Sequence, residues 1–160
     1  MISPELLRKY PFFNFLDHEQ LRQVAMITEE IDLAPGEVLF SSGDAASALY
    51  LVRDGNLDLY YVVHDTLKTG KRRELLAETV NPGEVLGISA LIDPYTYTAL
   101  ARADVPCRLL KVDAIDLRGL TTNDPTLAYG LQRQVTRAAM NRLHNARVQL
   151  AAANGSLAKA

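Results

Sequence analysis

Residues 35–39 and 82–86 both read Pro-Gly-Glu-Val-Leu. In each copy Pro presets φ at the second position of a turn, and Gly accepts positive φ at the third. Val-Leu then leads away as a short apolar run. Two identical turns that each feed a strand are the mark of equivalent corners in a sheet structure with internal pseudo-symmetry. This repeat constrains the middle of the chain to β-structure built in two related halves.

The surrounding pattern agrees. From about Glu29 the period is that of short strands separated by turns. Leu49–Arg53 and Asn56–Val63 flank Asp54-Gly55, which reads as a hairpin dipeptide. Leu57, Leu59, Tyr61 and Val63 alternate with Asn56, Asp58 and Tyr60, as a half-buried strand requires. The polar stretch from His64 to Glu74 reads as an exposed hairpin tip. Further strands fit Leu75–Val80, Tyr97–Ala103 and Arg108–Val112. Many short strands at this spacing predict an antiparallel sandwich, barrel or jelly roll. Helices flank them. Ser3 precedes Pro4, a residue suited to the first helical position. Asp17 and Gln20 have capping-box spacing before a helix that ends near Ile27. Asp113 caps a short helix through Leu120, and Asp124-Pro125 opens a long one.

That long helix carries Leu131, Val135, Ala138 or Ala139, Leu143, Ala146 and Leu150 at three- and four-residue steps, nearly a coiled-coil seam. The organisation expected is therefore a β-roll unit with N-terminal helices over 1–124, a long amphipathic helix over 125–150 and a frayed tail over 151–160. Charge divides at the same place. The formal net charge is −2, yet residues 1–124 carry −7 and residues 125–160 carry +5, with every acidic side chain at or before Asp124. The stripe predicts a homodimer through the long helix, and packing back onto the chain's own β region is the alternative.

Composition narrows the class. The hydrophobic fraction is 48% and the charged fraction 22%, the balance of a soluble globular chain rather than a disordered one. The single cysteine excludes an intrachain disulfide and points to a reducing compartment. No apolar stretch approaches the roughly 20 residues that span a bilayer. Met1 to Tyr10 lacks the apolar core of a signal peptide. A cytoplasmic location is expected.

Pro35-Gly36-Glu37, Gly43-Asp44, the run Leu49-Tyr50-Leu51-Val52 leading to Gly55, and Pro82-Gly83-Glu84 give the chain over residues 5–150 a pattern that resembles the cyclic-nucleotide-binding domain family. That module occurs in the catabolite activator protein, in regulatory subunits of protein kinase A and in gated ion channels. The resemblance implies a mainly β jelly roll with short N-terminal helices and a long C-terminal helix. Segment 86–103 looks like the family's phosphate-binding cassette, with Gly87, Ala90, Leu91 and Thr98-Ala99 in register. It implies ligand contacts from Gly87, Ile88, Ser89, Ala90, Leu91, Tyr97, Thr98 and Ala99. A one-turn helix after Gly87 would aim the N–H groups of Ser89, Ala90 and Leu91 at an anion.

Two positions depart from the family. It places an arginine directly before the Ser/Thr-Ala pair, where this chain has Tyr97, and a glutamate directly after the cassette glycine, where this chain has Ile88. Loss of a charge-assisted hydrogen bond, at ~1.5–3 kcal/mol, weakens a phosphate site about 10–100-fold. Tight binding of cyclic AMP in the usual pose is therefore not expected, and any cyclic nucleotide or other small anion would bind weakly. Arg102, five residues on, should face away by strand alternation. Tyr97 and Thr98 are either a redesigned ligand contact or the filling of an unused pocket.

The remaining candidates read more plainly. Lys68, Lys71, Arg72 and Arg73 suit a solvated hairpin tip, with contact to an acidic partner the alternative. The arginines of the long helix have no interleaved aromatics, and no recognition helix is visible, so direct nucleic-acid binding is not expected. Cys107 reads as a small core residue. His18, His64 and His144 have no ligand-like spacing, so no metal site is expected. No P-loop, dinucleotide fingerprint or nucleophile elbow is present, and no catalytic residue is assigned. The functional expectation is a regulatory module in which ligand or partner binding at the cassette repositions the helix after Asp124. Two alternatives stand beside it. One is the sensor half of a catabolite-activator-like regulator, since the ten residues after Leu150 are too few for a helix-turn-helix. The other is a ligand-free dimerisation or protein-interaction domain.

Overall fold

A computed structural model describes residues 1–64 and 70–158, with side chains as far as 155. Lys68 and the end of the tail lie outside the described residues, as does the part of the expected hairpin tip over 65–69.

The chain opens with α1 (Pro4–Arg8), capped by Ser3, a 3-10 turn over Pro11–Phe13, and α2 (His18–Met26). Asp17 and Gln20 form the full capping box at the start of α2. Eight strands follow: β1 (Thr28–Leu33), β2 (Val38–Phe40), β3 (Ala48–Asp54), β4 (Leu57–His64), β5 (Arg72–Val80), β6 (Val85–Leu86), β7 (Leu100–Ala103) and β8 (Cys107–Asp113). They form two antiparallel four-stranded sheets, ordered β1-β8-β3-β6 and β2-β7-β4-β5. This is the jelly roll that the family resemblance implied, one of the three architectures the strand spacing left open. α3 (Ala114–Thr122), capped by Asp113, and α4 (Pro125–Ala158) complete it.

The repeated turns occupy equivalent corners. Gly36 and Gly83 have φ of 89° and 90°. The Gly36 N–H donates to the Ala103 carbonyl and the Gly83 N–H to the Val52 carbonyl, at 2.6 and 2.8 Å. One corner feeds β2 in one sheet, and the other feeds β6 in the opposite sheet.

Several local expectations are corrected. Asp54-Gly55 is not a hairpin: β3 and β4 belong to different sheets, so the dipeptide is a corner where the chain changes layer. The true hairpin is β4–β5, in antiparallel register from Leu57↔Val80 to His64↔Arg72. β5 therefore starts at Arg72 rather than Leu75, because cross-strand pairing extends it. The inward alternation of β4 holds at Leu57 and Leu59 and fails at Tyr61 and Val63, beyond a register shift between Leu59 and Tyr60. β7 begins at Leu100 rather than Tyr97, so Tyr97 lies in a loop. α4 continues past Leu150 to Ala158, carried by Ala151, Ala152 and Ala153, the strongest helix formers.

One continuous core joins the sheets to the helices through Phe13, Leu21, Leu49, Leu51, Leu109 and Leu131. Gln20 fixes where α4 begins. Its carboxamide accepts from the Asp17 N–H and donates to Asp124 Oδ2 at 3.1 Å, while Asp124 caps α4 by accepting from the Leu127 N–H. The Leu127 bond, then the Gln20 bond, hold the Asp124 carboxyl below the usual carboxylate range. Farther along, Phe15 packs closely on α4 at Gly130, where a Cβ would meet the ring at 2.1 Å. Among the described residues no helix is long and apolar enough to cross a membrane.

Candidate functional site

The site starts where β6 ends. Gly87 has φ of 78°, and a Cβ there would lie 3.1 Å from the Ala48 carbonyl and 3.4 Å from the rings of Tyr50 and Tyr97. Conformation and close approach both demand glycine. A 3-10 turn over Ile88–Leu91 follows, and the chain returns through Tyr97 to β7. The returning loop is stitched to residues 43–46 by Tyr97 N–H to Asp44 O at 2.9 Å and Gly43 N–H to Tyr97 O at 2.9 Å. From outside, the Arg118 guanidinium donates to the Ala90 carbonyl at 2.6 Å and lies 4.1 Å above the Tyr95 ring. Gln132 of α4 donates to the Leu91 carbonyl at 3.3 Å.

A cavity of about 660 Å³ opens between this segment, the β4–β5 hairpin and α4. Gly87, Ile88, Ser89, Tyr97, Thr98 and Ala99 all line it. Ala90 and Leu91 do not: both are buried in the core, and the Ala90 N–H donates to the Gly87 carbonyl at 3.0 Å rather than facing an anion.

Tyr97 stands where the resemblance implied arginine. Its ring stacks on Phe40 with centroids 3.8 Å apart and planes 9° from parallel. Its O–H donates to the Ala48 carbonyl at 2.5 Å, and the same oxygen accepts from the Ala48 N–H at 3.2 Å. The phenol is thus held by β3, which favours the pocket-filling reading over a redesigned ligand contact. Burial raises the Tyr97 hydroxyl above its usual pKa, and the Ala48 bond only partly offsets this. Burial and the neighbouring Tyr97 push Tyr50 up as well. Both stay neutral phenols at any physiological pH. Arg102 does not substitute for the lost cation: it pairs with Glu74 at 2.9 Å and lies 4.6 Å over the Tyr60 ring.

The third wall is α4, which sequence reasoning missed. Its inner face supplies Arg142, Asn145, Ala146, Gln149 and Leu150. Arg142 donates to the Val85 carbonyl at 2.6 Å and pairs with Glu78 of β5 at 3.5 Å. Gln149 donates to the Ala77 carbonyl at 3.0 Å. The signal was present: the spacing Leu131, Val135, Ala138, Arg142, Asn145, Gln149 keeps one helix face and turns polar halfway along.

The same geometry divides the expected dimer stripe. Leu131 and Val135 are buried in the chain's own core, so the alternative reading applies to them. Ala139, Leu143, Ala146 and Leu150 are exposed or face the cavity rim. Among the described residues no His/Cys/Asp/Glu cluster could hold a metal ion. Burial raises the Cys107 thiol pKa, and its S–H donates to the Asn56 carbonyl at 2.9 Å.

Comparison with known proteins places the chain. Residues 30–124 match the model of the cyclic nucleotide-binding domain. A protein from Geobacter metallireducens GS-15 assigned to the cyclic nucleotide-binding proteins is 37% identical, with a TM-score of 0.78 over 90% of this chain and 100% of that one. The N-terminal domain of a transcriptional regulator from Streptomyces coelicolor A3(2) is 33% identical, with a TM-score of 0.66 over 85% and 93%. The cAMP-dependent protein kinase regulatory subunit of Schizosaccharomyces pombe is 26% identical over 88% of this chain and 31% of its own length. The chain spans about a third of the curated relatives it matches. With jelly roll, corner turns and cassette all in register, this chain belongs to the cyclic nucleotide-binding domain family.

Proposed function

We propose that this protein is a non-catalytic sensor module that reads a small molecule in the cavity under α4 and reports occupancy as movement of α4. One observation carries the reading: the inner face of α4 is itself a wall of the cavity, so an occupant touches the helix directly. Three polar side chains on that helix, Gln132, Arg142 and Gln149, hold it through bonds to carbonyls at the cavity's edge. The two glutamine bonds exchange with water at a net cost of about 0.5–1.5 kcal/mol each and the charge-assisted Arg142 bond at about 1.5–3 kcal/mol, a range that suits a latch that must open.

Cyclic AMP does not fit this cavity in the family's pose. The cation is missing at Tyr97, Ile88 offers no acceptor for a ribose hydroxyl, and the Tyr97 phenol is committed to Ala48. Calorimetric titration with cyclic AMP and cyclic GMP is expected to give weak or undetectable heats, and a sub-micromolar affinity for either would overturn this. Movement of α4 is read by pulsed electron paramagnetic resonance with spin labels at Glu37→Cys and Ala152→Cys. Saturation with Nile red, an uncharged fluorescent dye, is expected to shift the distance between labels. A saturated but unshifted distance removes the sensor reading.

Self-association belongs to the same proposal, through a revised face. Tyr129, Thr136, Met140 and Leu143 follow one another at heptad steps on the outer side of α4. Tyr129, Met140 and Leu143 are 66%, 55% and 42% exposed. In sedimentation velocity Leu143→Asp is expected to convert a dimer to a monomer. A wild type that sediments as a monomer throughout the accessible concentration range refutes the dimer.

A further inference from the structure

We infer that the cavity under α4 selects an uncharged molecule with an apolar body and a neutral hydrogen-bonding end, and discriminates against anions of the same shape. The inference rests on the sensor reading above and names the chemistry that reading leaves open.

Charge decides it. Among the described residues that line the cavity, Arg142 is the one cation. Its guanidinium is matched by Glu78, the two side chains being 24% and 18% exposed. Asp93 on the rim adds a further negative charge. An entering anion therefore meets no unmatched cation. To recruit Arg142 it must displace Glu78 and leave a half-buried carboxylate without its partner, which is the expensive way to break an ion pair. The walls point the same way. Phe40, Leu59, Leu75, Leu76 and Ile88 make an apolar sleeve, with Ser89 and Thr98 as neutral hydrogen-bonding groups on the cassette side. The volume falls in the range of small-molecule sites, and apolar walls with few polar groups are their usual composition.

A matched pair isolates the charge: n-decanamide and n-decanoate compete for Nile red bound to the full chain at neutral pH. The expected result is displacement by decanamide at about tenfold lower concentration than decanoate, a difference near 1.4 kcal/mol. Glu78→Gln frees Arg142 and is expected to shift the preference about tenfold toward decanoate. Ala146→Trp fills the cavity from an exposed helix position and is expected to abolish dye binding with an unchanged circular dichroism spectrum. Val148→Ser, on the opposite flank of α4, retains binding. The inference is overturned if decanoate or cyclic AMP displaces the dye better than decanamide, if the wild type binds no dye, or if Ala146→Trp keeps it. The spin-label distance separates the two claims. Tighter decanoate binding that moves α4 defeats charge selection and leaves the sensor intact. Decanamide binding that leaves α4 in place does the reverse.

Discussion

Tyr97→Ala is expected to lower the free energy of unfolding by about 3–5 kcal/mol, the cost of emptying a buried aromatic site. The ring is 3% exposed and stacked on Phe40, so its removal leaves a void bounded by Phe40, Gly87 and Tyr50. Tyr97→Phe keeps the ring and removes the hydroxyl. The Ala48 carbonyl then loses its O–H donor in a buried place, at a cost of about 1–3 kcal/mol. Equilibrium denaturation in urea measures both. The pair of variants separates the two readings the sequence left open. A phenol that served a ligand would tolerate Phe with no loss of stability. A phenol that ties the cassette to β3 would not. Unchanged stability in Tyr97→Phe would return Tyr97 to the list of ligand contacts.

The departures at Tyr97 and Ile88 were legible because the cassette is local. Its residues are close in sequence, and one missing arginine or glutamate shows against a fixed spacing. The α4 wall left its signal in the spacing through Arg142 and Gln149, but the apolar stripe beside it masked that signal, for a reason in helix geometry. At about 100° per residue, each four-residue step advances about 40° around the helix. The stripe Leu131, Val135, Ala139, Leu143, Ala146, Leu150 contains four such steps and one three-residue step that turns back about 60°, so it rotates by about 100° along its length. It starts facing the core, turns outward at Leu143 and ends at the cavity rim with Ala146 and Leu150. What reads as one seam is two faces, and the inner one continues through Arg142 and Gln149. Their cavity partners, Glu78 and Ala77, lie far away in sequence. Only the docking of α4, fixed by Gln20 at its start and by Phe15 on Gly130, brings them together.

Gly55→Ala is the second substitution expected to cost several kcal/mol, and it shows the same limit at the level of the fold. The dipeptide Asp54-Gly55 carries a turn signal, and a turn is what forms, with φ of 79° at Gly55. Turn residues specify the bend and not the partner of the strand that follows. Here the strands part into different sheets. Gly55 is pressed against the β7–β8 connection, where the chain crosses back. A Cβ would meet the Pro106 carbonyl oxygen at 2.4 Å and Cys107 Sγ at 2.9 Å. The first is backbone and has no rotamer by which to withdraw. Left-handed strain for an L-residue adds about 1–2 kcal/mol and overpacking about 1–3 kcal/mol, so Gly55→Ala is expected to lose about 2–5 kcal/mol in denaturation. Gly83→Ala supplies the comparison, since its φ is 90° and nothing lies within 4 Å of its Cβ. It carries the conformational part alone, about 1–2 kcal/mol. Asparagine, which tolerates the left-handed region, separates the parts further. Gly83→Asn should be nearly neutral, while Gly55→Asn should retain the steric loss. Equal costs at the two glycines would mean that the corner at Gly55 is held by backbone conformation alone, without the contact that locks the two sheet crossings together.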